Sequence, residues 1–233
     1  VGLQLQYPIK AQGSSTLLLT KCAPNAEMVR LTYPERRPAP KVKFPEVTVT
    51  WYAGGLQPMK PKWWPAGRNM NDAGGGVLFH GTKDTLVCGC YGKDPWLLSG
   101  RTPDAPRFRR RVETSHEMDW IRACKESPGN RVESASPFSE AGPFNEMVVM
   151  AVNAVRLQGL NKELEWDGEN MKFTNISDNE TLKMVLSDDF EIIDGDPKFR
   201  TKWTDPFNAR EFAMELVKHT PREGNWELPD MPA

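Results

Sequence analysis

The chain has 233 residues and a formal net charge of −1, so it is long enough to bury one sizeable hydrophobic core. A nearly neutral chain has no global attraction to nucleic acid or to an anionic membrane surface. No apolar run approaches the roughly 20 residues that a membrane-spanning helix needs. The sequence therefore predicts a soluble protein, either cytoplasmic or exported.

The four cysteines, Cys22, Cys88, Cys90 and Cys124, are too few for a disulfide framework at this length. Cys88 and Cys90 lie two residues apart on a predicted strand, where they face the same side and are badly placed to bond each other. Paired Cys-x-x-Cys spacings and a nearby histidine are missing. The sequence predicts free thiols and no metal site.

Alternation of apolar and polar residues predicts half-buried antiparallel strands at residues 3–11, 27–33 and 47–52. Val1 is not an initiator methionine, and the first strand pattern begins almost at once. We therefore expect the chain to be a fragment of a longer protein.

Residues 57–67 are predicted to form an extended loop in which Trp63 and Trp64 are adjacent. Adjacent tryptophans can form a ligand platform or an interface anchor, or they can cover the core. The glycines of residues 69–76 lack the spacing and the following helix of a phosphate-binding loop. They predict a turn that leads into a strand.

Residues 76–81 and 85–91 predict a β-hairpin. His80 lies in its first strand without a metal ligand or catalytic partner at a suitable spacing, so we interpret it as a structural histidine. Residues 94–111 are predicted to be irregular, with arginines at 107, 109, 110 and 111. This basic run is too short for a nucleic-acid site, and it suits a solvated loop or contacts with an anion or sugar.

Residues 114–126 predict an amphipathic helix with Ser115 as its N-cap. Ser115 and His116 are not a nucleophile and its base, because neighbouring residues at a helix start do not face each other.

Residues 144–157 predict the central helix of the fold. They are apolar almost all round, which is typical of a helix that is buried on most sides. Pro143 suits the first helical position, and Gly159 suits a left-handed cap at the end of the helix.

Two short strands are predicted at residues 163–166 and 171–174, around a turn at residues 167–170. A shorter helix is predicted at residues 178–186 and another at residues 208–218. Residues 221–233 are predicted to lie loosely on the surface.

Five sequence blocks in a fixed order resemble the C-terminal domain of a bacterial branch of the Gfo/Idh/MocA oxidoreductases, the glucose–fructose oxidoreductase and inositol dehydrogenase family. The blocks are VTVTWYAGGLQP (47–58), GVLFHGTKDTL (76–86), HEMDWIRACK (116–125), FSEAGPFNEMVVMAVNAVRL (138–157) and ELEWDGENMKFTN (163–175). The similarity covers about residues 8–203. The chain departs from the family pattern at Asp84, where a glycine is usual, and in its longer C-terminal tail.

The resemblance implies an α+β domain at residues 1–203, with a large, open, mostly antiparallel sheet and helices on one face. Residues 204–233 would be a partly helical extension. In the family, a separate Rossmann domain binds NAD or NADP, and the open face of the sheet commonly makes subunit contacts. The resemblance therefore implies the missing N-terminal Rossmann domain as a partner, a homo-oligomer formed through the open sheet face, and a sugar-like substrate.

The family transfers hydride with a lysine from a Glu-Lys-Pro motif and with an aspartate and a histidine on the helix that links its two halves. This sequence has no Glu-Lys-Pro motif and no glycine fingerprint for a dinucleotide. No catalytic, cofactor-binding or metal-binding residue is therefore assigned. We expect the chain alone to bind no cofactor, with NAD or NADP implied for the full-length parent.

The residues that suit a substrate-side wall are Trp63, Trp64, Trp96, Arg101, Arg107 and His116. Aromatic faces and guanidinium groups suit sugar rings and hydroxyls, although each of these residues also suits a structural role. Two other hypotheses are open: a domain of an NAD-dependent glycosidase or lyase of the same family, and a stand-alone module for binding or oligomerisation.

Overall fold

The computed structural model describes residues 3, 5–39, 42–70, 74–102 and 112–218. Within them lie the helices α1 (His116–Lys125), α2 (Phe138–Arg156) and α3 (Ala209–Val217). The strands are β1 (Lys10–Ser15), β2 (Glu27–Tyr33), β3 (Arg36–Ala39), β4 (Val42–Phe44), β5 (Val47–Ala53), β6 (Gly76–His80), β7 (Thr85–Gly89), β8 (Trp96–Leu97), β9 (Leu164–Asp167), β10 (Lys172–Phe173), β11 (Thr181–Leu182), β12 (Val185–Ile193), β13 (Asp196–Trp203) and β14 (Phe207–Asn208). The paired strands are antiparallel throughout these sheets. The fold is therefore α+β with antiparallel sheets, which confirms the predicted class.

The chain forms two compact units. Unit 1 contains the described residues of Val1–Gln57 and Trp120–Ala233, and unit 2 contains those of Pro58–Asp119. The three helices of the described chain include none that is long and apolar enough to cross a membrane.

The main sheet of unit 1 has five strands in the order β10-β9-β1-β2-β5. Its register places Ala11 opposite both Leu31 and Leu164, and Leu31 opposite Val49. These four side chains form one row across the sheet, because residues directly opposite each other share a face. The other face is polar; the exposed Gln12 and Arg30 are paired there.

Helix α2 packs closely against the inner face of this sheet, where it contacts β1 and β2. At Gly13 the backbones approach so closely that an added Cβ would lie 2.5 Å from Ala154 C and from Val155 N. A glycine is therefore required at this point of the strand. The core between helix and sheet is formed by Val29, Leu31, Tyr33, Met150, Ala154, Val155, Leu164 and Trp166.

Helix α2 differs from its prediction at its start and in its burial. It begins at Phe138 rather than at Pro143, so Pro143 lies inside the helix and not at its first position. The prediction that the helix is buried on most sides is wrong. Val148, Val149 and Val152 are 44–53% exposed, since the sheet covers one side only.

The end of α2 also differs from the prediction. Leu157 is the C-cap, and a short 3-10 turn (Gln158–Leu160) carries the chain to Asn161. Asn161 has the left-handed conformation, with φ 53°, that was predicted for Gly159. Asparagine tolerates this region better than other residues with a side chain.

The helix predicted at residues 178–186 is not formed. Leu182 is buried in β11 and pairs with Phe207 of β14. The Glu180 carboxylate accepts hydrogen bonds from Lys162 Nζ and from the backbone N–H of Ser177. The pairing of Leu182 with Phe207 and the contact of Lys162 with Glu180 join residues far apart in the chain, and they outweigh the helical propensity of the segment.

Strands β12 and β13 form a long two-stranded hairpin that the sequence analysis missed. Asp194 and Gly195 connect the strands, and both have positive φ. This is the backbone of a tight two-residue hairpin turn, for which Asp-Gly is a favoured sequence.

Helices α1 and α3 agree with their predictions within two residues at each end. The Ser115 hydroxyl accepts a hydrogen bond from Met118 N at 3.3 Å, as expected of an N-cap. Asn208 caps α3 by accepting from Glu211 N at 2.9 Å. Ala209 and Ala213 are buried, so α3 contributes to the core of unit 1.

Replacing Gly13 by alanine should lower the free energy of unfolding by about 1–3 kcal/mol, because the added methyl group overpacks the contact between helix and sheet. Chemical denaturation followed by circular dichroism measures the change. Gln12→Ala, on the exposed face of the same strand, should stay within about 0.5 kcal/mol of the wild type. Equal effects of the two substitutions would contradict the close approach.

Candidate functional site

Two of the six predicted site residues, Trp64 and Trp96, meet in a cleft of unit 2. Their rings are edge to face, with centroids 5.4 Å apart. Trp64 lies in the loop that follows β5, and Trp96 begins β8. We name this site the Trp64–Trp96 cleft. It has a volume of about 180 Å³ and is lined by Trp64, Arg68, Asn69, Met70, Val87, Cys88, Gly89, Lys93, Asp94 and Trp96.

Arg68 is the functional candidate that the sequence analysis missed. Its guanidinium carbon lies 4.0 Å from the centroid of the Trp96 ring, which is a cation–π contact. Its backbone carbonyl accepts a hydrogen bond from Trp64 Nε1 at 2.8 Å. Arg68 therefore connects both indoles. A basic residue four positions after a loop tryptophan was the available signal, but the sequence does not show that Trp96 lies beside it.

Trp63 does not line the cleft. It is 77% exposed, and its backbone has a φ of 72°. Lys62 Nζ lies 4.8 Å from its ring centroid. Of the two adjacent tryptophans, only Trp64 lines the cleft.

Arg101 takes part in an anchor beside the cleft rather than in the cleft itself. Asp84 accepts hydrogen bonds from Ser99 Oγ at 2.5 Å, from Thr85 N at 2.8 Å and from Ser99 N at 3.2 Å. The Ser99 hydroxyl contributes most to lowering the pKa of Asp84, and the charge of Arg101 adds to it. The carboxylate thus ties the β6–β7 turn to the end of β8, which carries Trp96.

His116, another of the predicted site residues, does not line the cleft. His116 is exposed at the start of α1, and Arg107 lies outside the described residues. His80 is exposed, and its Nδ1 lies 3.3 Å from Thr85 Oγ1.

The cysteines are free, as predicted. Cys88 is buried in β7 and lines the cleft, whereas Cys90 lies beyond the end of the strand. In the part of the chain that the structure describes, no group of three or more His, Cys, Asp or Glu residues could hold a metal ion.

A second cleft, of about 410 Å³, lies along α2 in unit 1. Its walls are mostly apolar, but Glu146, Trp166 and Asn153 supply polar atoms. Trp166 Nε1 donates to Glu146 Oε1 at 2.7 Å. Asn153 is 3% exposed, and its buried Nδ2 has no hydrogen-bond partner among the residues that the structure describes. We name this site the α2 cleft.

Tyr33 lies in the core of unit 1. Its hydroxyl is buried and has no hydrogen-bond partner in the described part of the chain. Burial raises the pKa of Tyr33 to about 12, and the negative charge of Glu146 adds to the effect. Tyr33 is therefore neutral across the physiological pH range and does not act as a base.

No protein-family model and no curated protein matches this chain. The resemblance to the Gfo/Idh/MocA family therefore stays a prediction based on the five sequence blocks.

The Asp84 anchor should make unit 2 sensitive to acid. Because its pKa is lowered in the folded state, Asp84 stabilises the fold above its ordinary pKa of 3.8, and this contribution is lost as the pH falls through the lower folded value. Carboxyl-detected NMR should find Asp84 titrating below that value. Ser99→Ala should move its pKa back upward, and an unchanged pKa in this variant would contradict the anchor.

Asn153→Leu should raise the free energy of unfolding by about 1 kcal/mol, because it removes a buried amide donor that has no partner. Asn175→Leu is the matched control. Its side chain accepts from Glu165 N and donates to Glu163 O, both at 2.9 Å, so its loss should destabilise by about 1–3 kcal/mol. Chemical denaturation compares the two variants, and a destabilised Asn153→Leu would show that this amide is bonded in solution.

Proposed function

We propose that the chain is the substrate-side and oligomerisation domain of an NAD(P)-dependent oxidoreductase of the Gfo/Idh/MocA type, acting on a sugar or cyclitol. The order of the five sequence blocks supports the proposal, and the α+β class with antiparallel sheets agrees with it. In this proposal a separate Rossmann half binds the dinucleotide and supplies the catalytic lysine, aspartate and histidine. This chain alone then neither binds NAD(P) nor transfers hydride.

The Trp64–Trp96 cleft is the observation that supports a sugar or cyclitol as the substrate. Two indoles offer apolar ring faces, and Arg68, Asn69 and Asp94 offer hydrogen-bond donors and acceptors around them. Sugars and cyclitols present the matching combination of apolar C–H faces and hydroxyls. The guanidinium group of Arg68 lies over the Trp96 ring and adds a hydrogen-bond donor for a hydroxyl oxygen.

The size of the cleft supports a role as one wall of a larger site. Its volume of about 180 Å³ is smaller than the roughly 300–1,000 Å³ of typical ligand pockets. A cofactor-bearing half would then complete the site and bring the reacting atoms. Binding to this wall alone should be weak, in about the millimolar range expected for a small ligand with few contacts.

Ligand-observed NMR with myo-inositol and D-glucose tests this proposal. Arg68→Ala should weaken binding at least about fivefold, since it removes the cation and one edge of the cleft. Trp63→Ala is the control, because Trp63 is exposed and does not line the cleft; it should leave binding unchanged.

Titration with NADH and NADPH completes the test and should show no binding. Tight dinucleotide binding by this chain would contradict the proposal that a separate Rossmann half binds the cofactor. Failure to bind either polyol, or equal loss in the two variants, would contradict the assignment of the cleft.

A further inference from the structure

The hairpin of β12 and β13, which we name the β12–β13 ribbon, has two chemically different faces. Side chains alternate between the faces of a strand, and the register pairs Phe190 with Phe199 and Glu191 with Lys198. Paired residues lie on the same face. One face of the ribbon is therefore largely apolar and the other is charged.

The apolar face is uncovered by the described chain. Its five large side chains, each more than half exposed, are Leu186, Phe190, Ile192, Phe199 and Trp203. The rings of Phe190 and Phe199 are 6.3 Å apart and tilted by 38°. The same face also carries the exposed carboxylate of Asp188, which accepts a hydrogen bond from Thr201 Oγ1 on the facing strand at 2.5 Å.

The charged face separates the two signs by strand. Asp189 and Glu191 lie on β12, opposite Arg200 and Lys198 on β13. Glu191 also forms an ion pair with Arg200. The ribbon thus holds itself together across this face, and its charges are placed to remain in water.

A two-stranded ribbon with an exposed apolar face is marginal in water by itself. Isolated hairpins usually need a third strand or a packed surface to be stable, and contiguous exposed apolar patches mark interaction sites. The nine residues of β12 and the eight of β13 are long for a hairpin without such support.

We propose that the β12–β13 ribbon is a dimerisation surface whose partner is a second copy of this chain. The two ribbons pack face to face through their apolar sides around a two-fold axis. Such an interface is self-complementary, since each copy contributes the same patch.

Charge selects this arrangement over pairing at the strand edges. A two-fold dimer through an edge would place β12 beside β12, or β13 beside β13. The first would bring the carboxylates of Asp189 and Glu191 together, and the second would bring Lys198 and Arg200 together. Like charges on neighbouring strands destabilise the pair, whereas face-to-face packing leaves them in water.

The available area fits a reversible dimer. Five large apolar side chains that are mostly exposed offer roughly 100 Å² each, so two copies would bury on the order of 1,000 Å². This is near the lower limit for a specific interface. Dimerisation should therefore depend on concentration and have a Kd of about micromolar order.

The ribbon differs from the surface that the sequence predicted for subunit contacts. The open face of the main sheet carries polar residues such as Gln12 and Arg30, while interface cores are depleted of charged side chains. The ribbon interface specifies how the oligomer of the proposed function forms, and it rests on the proposed function in that respect only. Its test requires neither cofactor nor polyol, so its failure leaves the cleft assignment standing.

Sedimentation velocity over about 1–300 µM tests the interface, and the wild type should shift from monomer to dimer within this range. Phe190→Lys and, separately, Phe199→Lys should each weaken dimerisation at least about tenfold, because a charge is placed in the centre of the apolar face. Phe144→Lys is the matched control: Phe144 is 61% exposed on α2 and is not part of the ribbon. It should dimerise as the wild type does.

Circular dichroism checks that each variant is folded, and two independent substitutions guard against a local defect in one. Raising the salt concentration from about 0.1 M to 1 M should leave the dimer intact, since the interface is apolar and salt screens only charges. A wild type that is monomeric throughout the range would overturn the proposal. So would a dimer that survives both ribbon substitutions, or one that dissociates in salt.

Discussion

The close approach of α2 to β1 is the constraint on which unit 1 depends. Helix and sheet can come this close only because residue 13 has no side chain. The approach buries Val29, Leu31 and Tyr33 under the helix. It also removes the Asn153 amide and the Tyr33 hydroxyl from water, and no described residue provides a hydrogen-bond partner for either group. Buried donors without partners lower the free energy of unfolding. The close approach of helix and sheet therefore destabilises the fold through these polar groups while it stabilises the fold by burying apolar side chains.

Unit 2 is organised by polar contacts more than by a core. The carboxylate of Asp84 ties the β6–β7 turn to Ser99 at the end of β8, and β8 begins with Trp96. The loop before β6 brings Trp64 and Arg68 to the same ring. The geometry of the cleft thus depends on a residue at which the chain departs from the resembling family's pattern. A glycine at position 84 could not make these side-chain hydrogen bonds.

The candidate sites were only partly accessible to sequence reasoning. Trp64 and Trp96 were predicted, because aromatic residues in segments predicted to be irregular are recognisable by residue type. Arg68 was not predicted, because its place in the cleft depends on stacking on Trp96, which lies 28 residues later in the chain. Asn153 of the α2 cleft looks like an ordinary helix residue in sequence. The apolar face of the β12–β13 ribbon follows from an Asp-Gly turn that was present in the sequence but was overlooked.

The sequence by itself determined the α+β class, strands β2 and β5 of the main sheet, the capped helices α1 and α3 and the β6–β7 hairpin. Those features depend on local periodicity and on short-range capping or turn chemistry, which neighbouring residues encode. The strand predicted at residues 3–11 overlaps the observed β1 (Lys10–Ser15) at only two residues. Only the tertiary structure decided that α2 is covered on one side and that residues 181–182 and 185–186 belong to strands instead of a helix. The tertiary structure also decided that Trp64, and not the adjacent Trp63, lines the cleft. Each of these depends on partners far away along the chain, such as Phe207 for Leu182, and pairing at that distance leaves no periodic signal in the sequence.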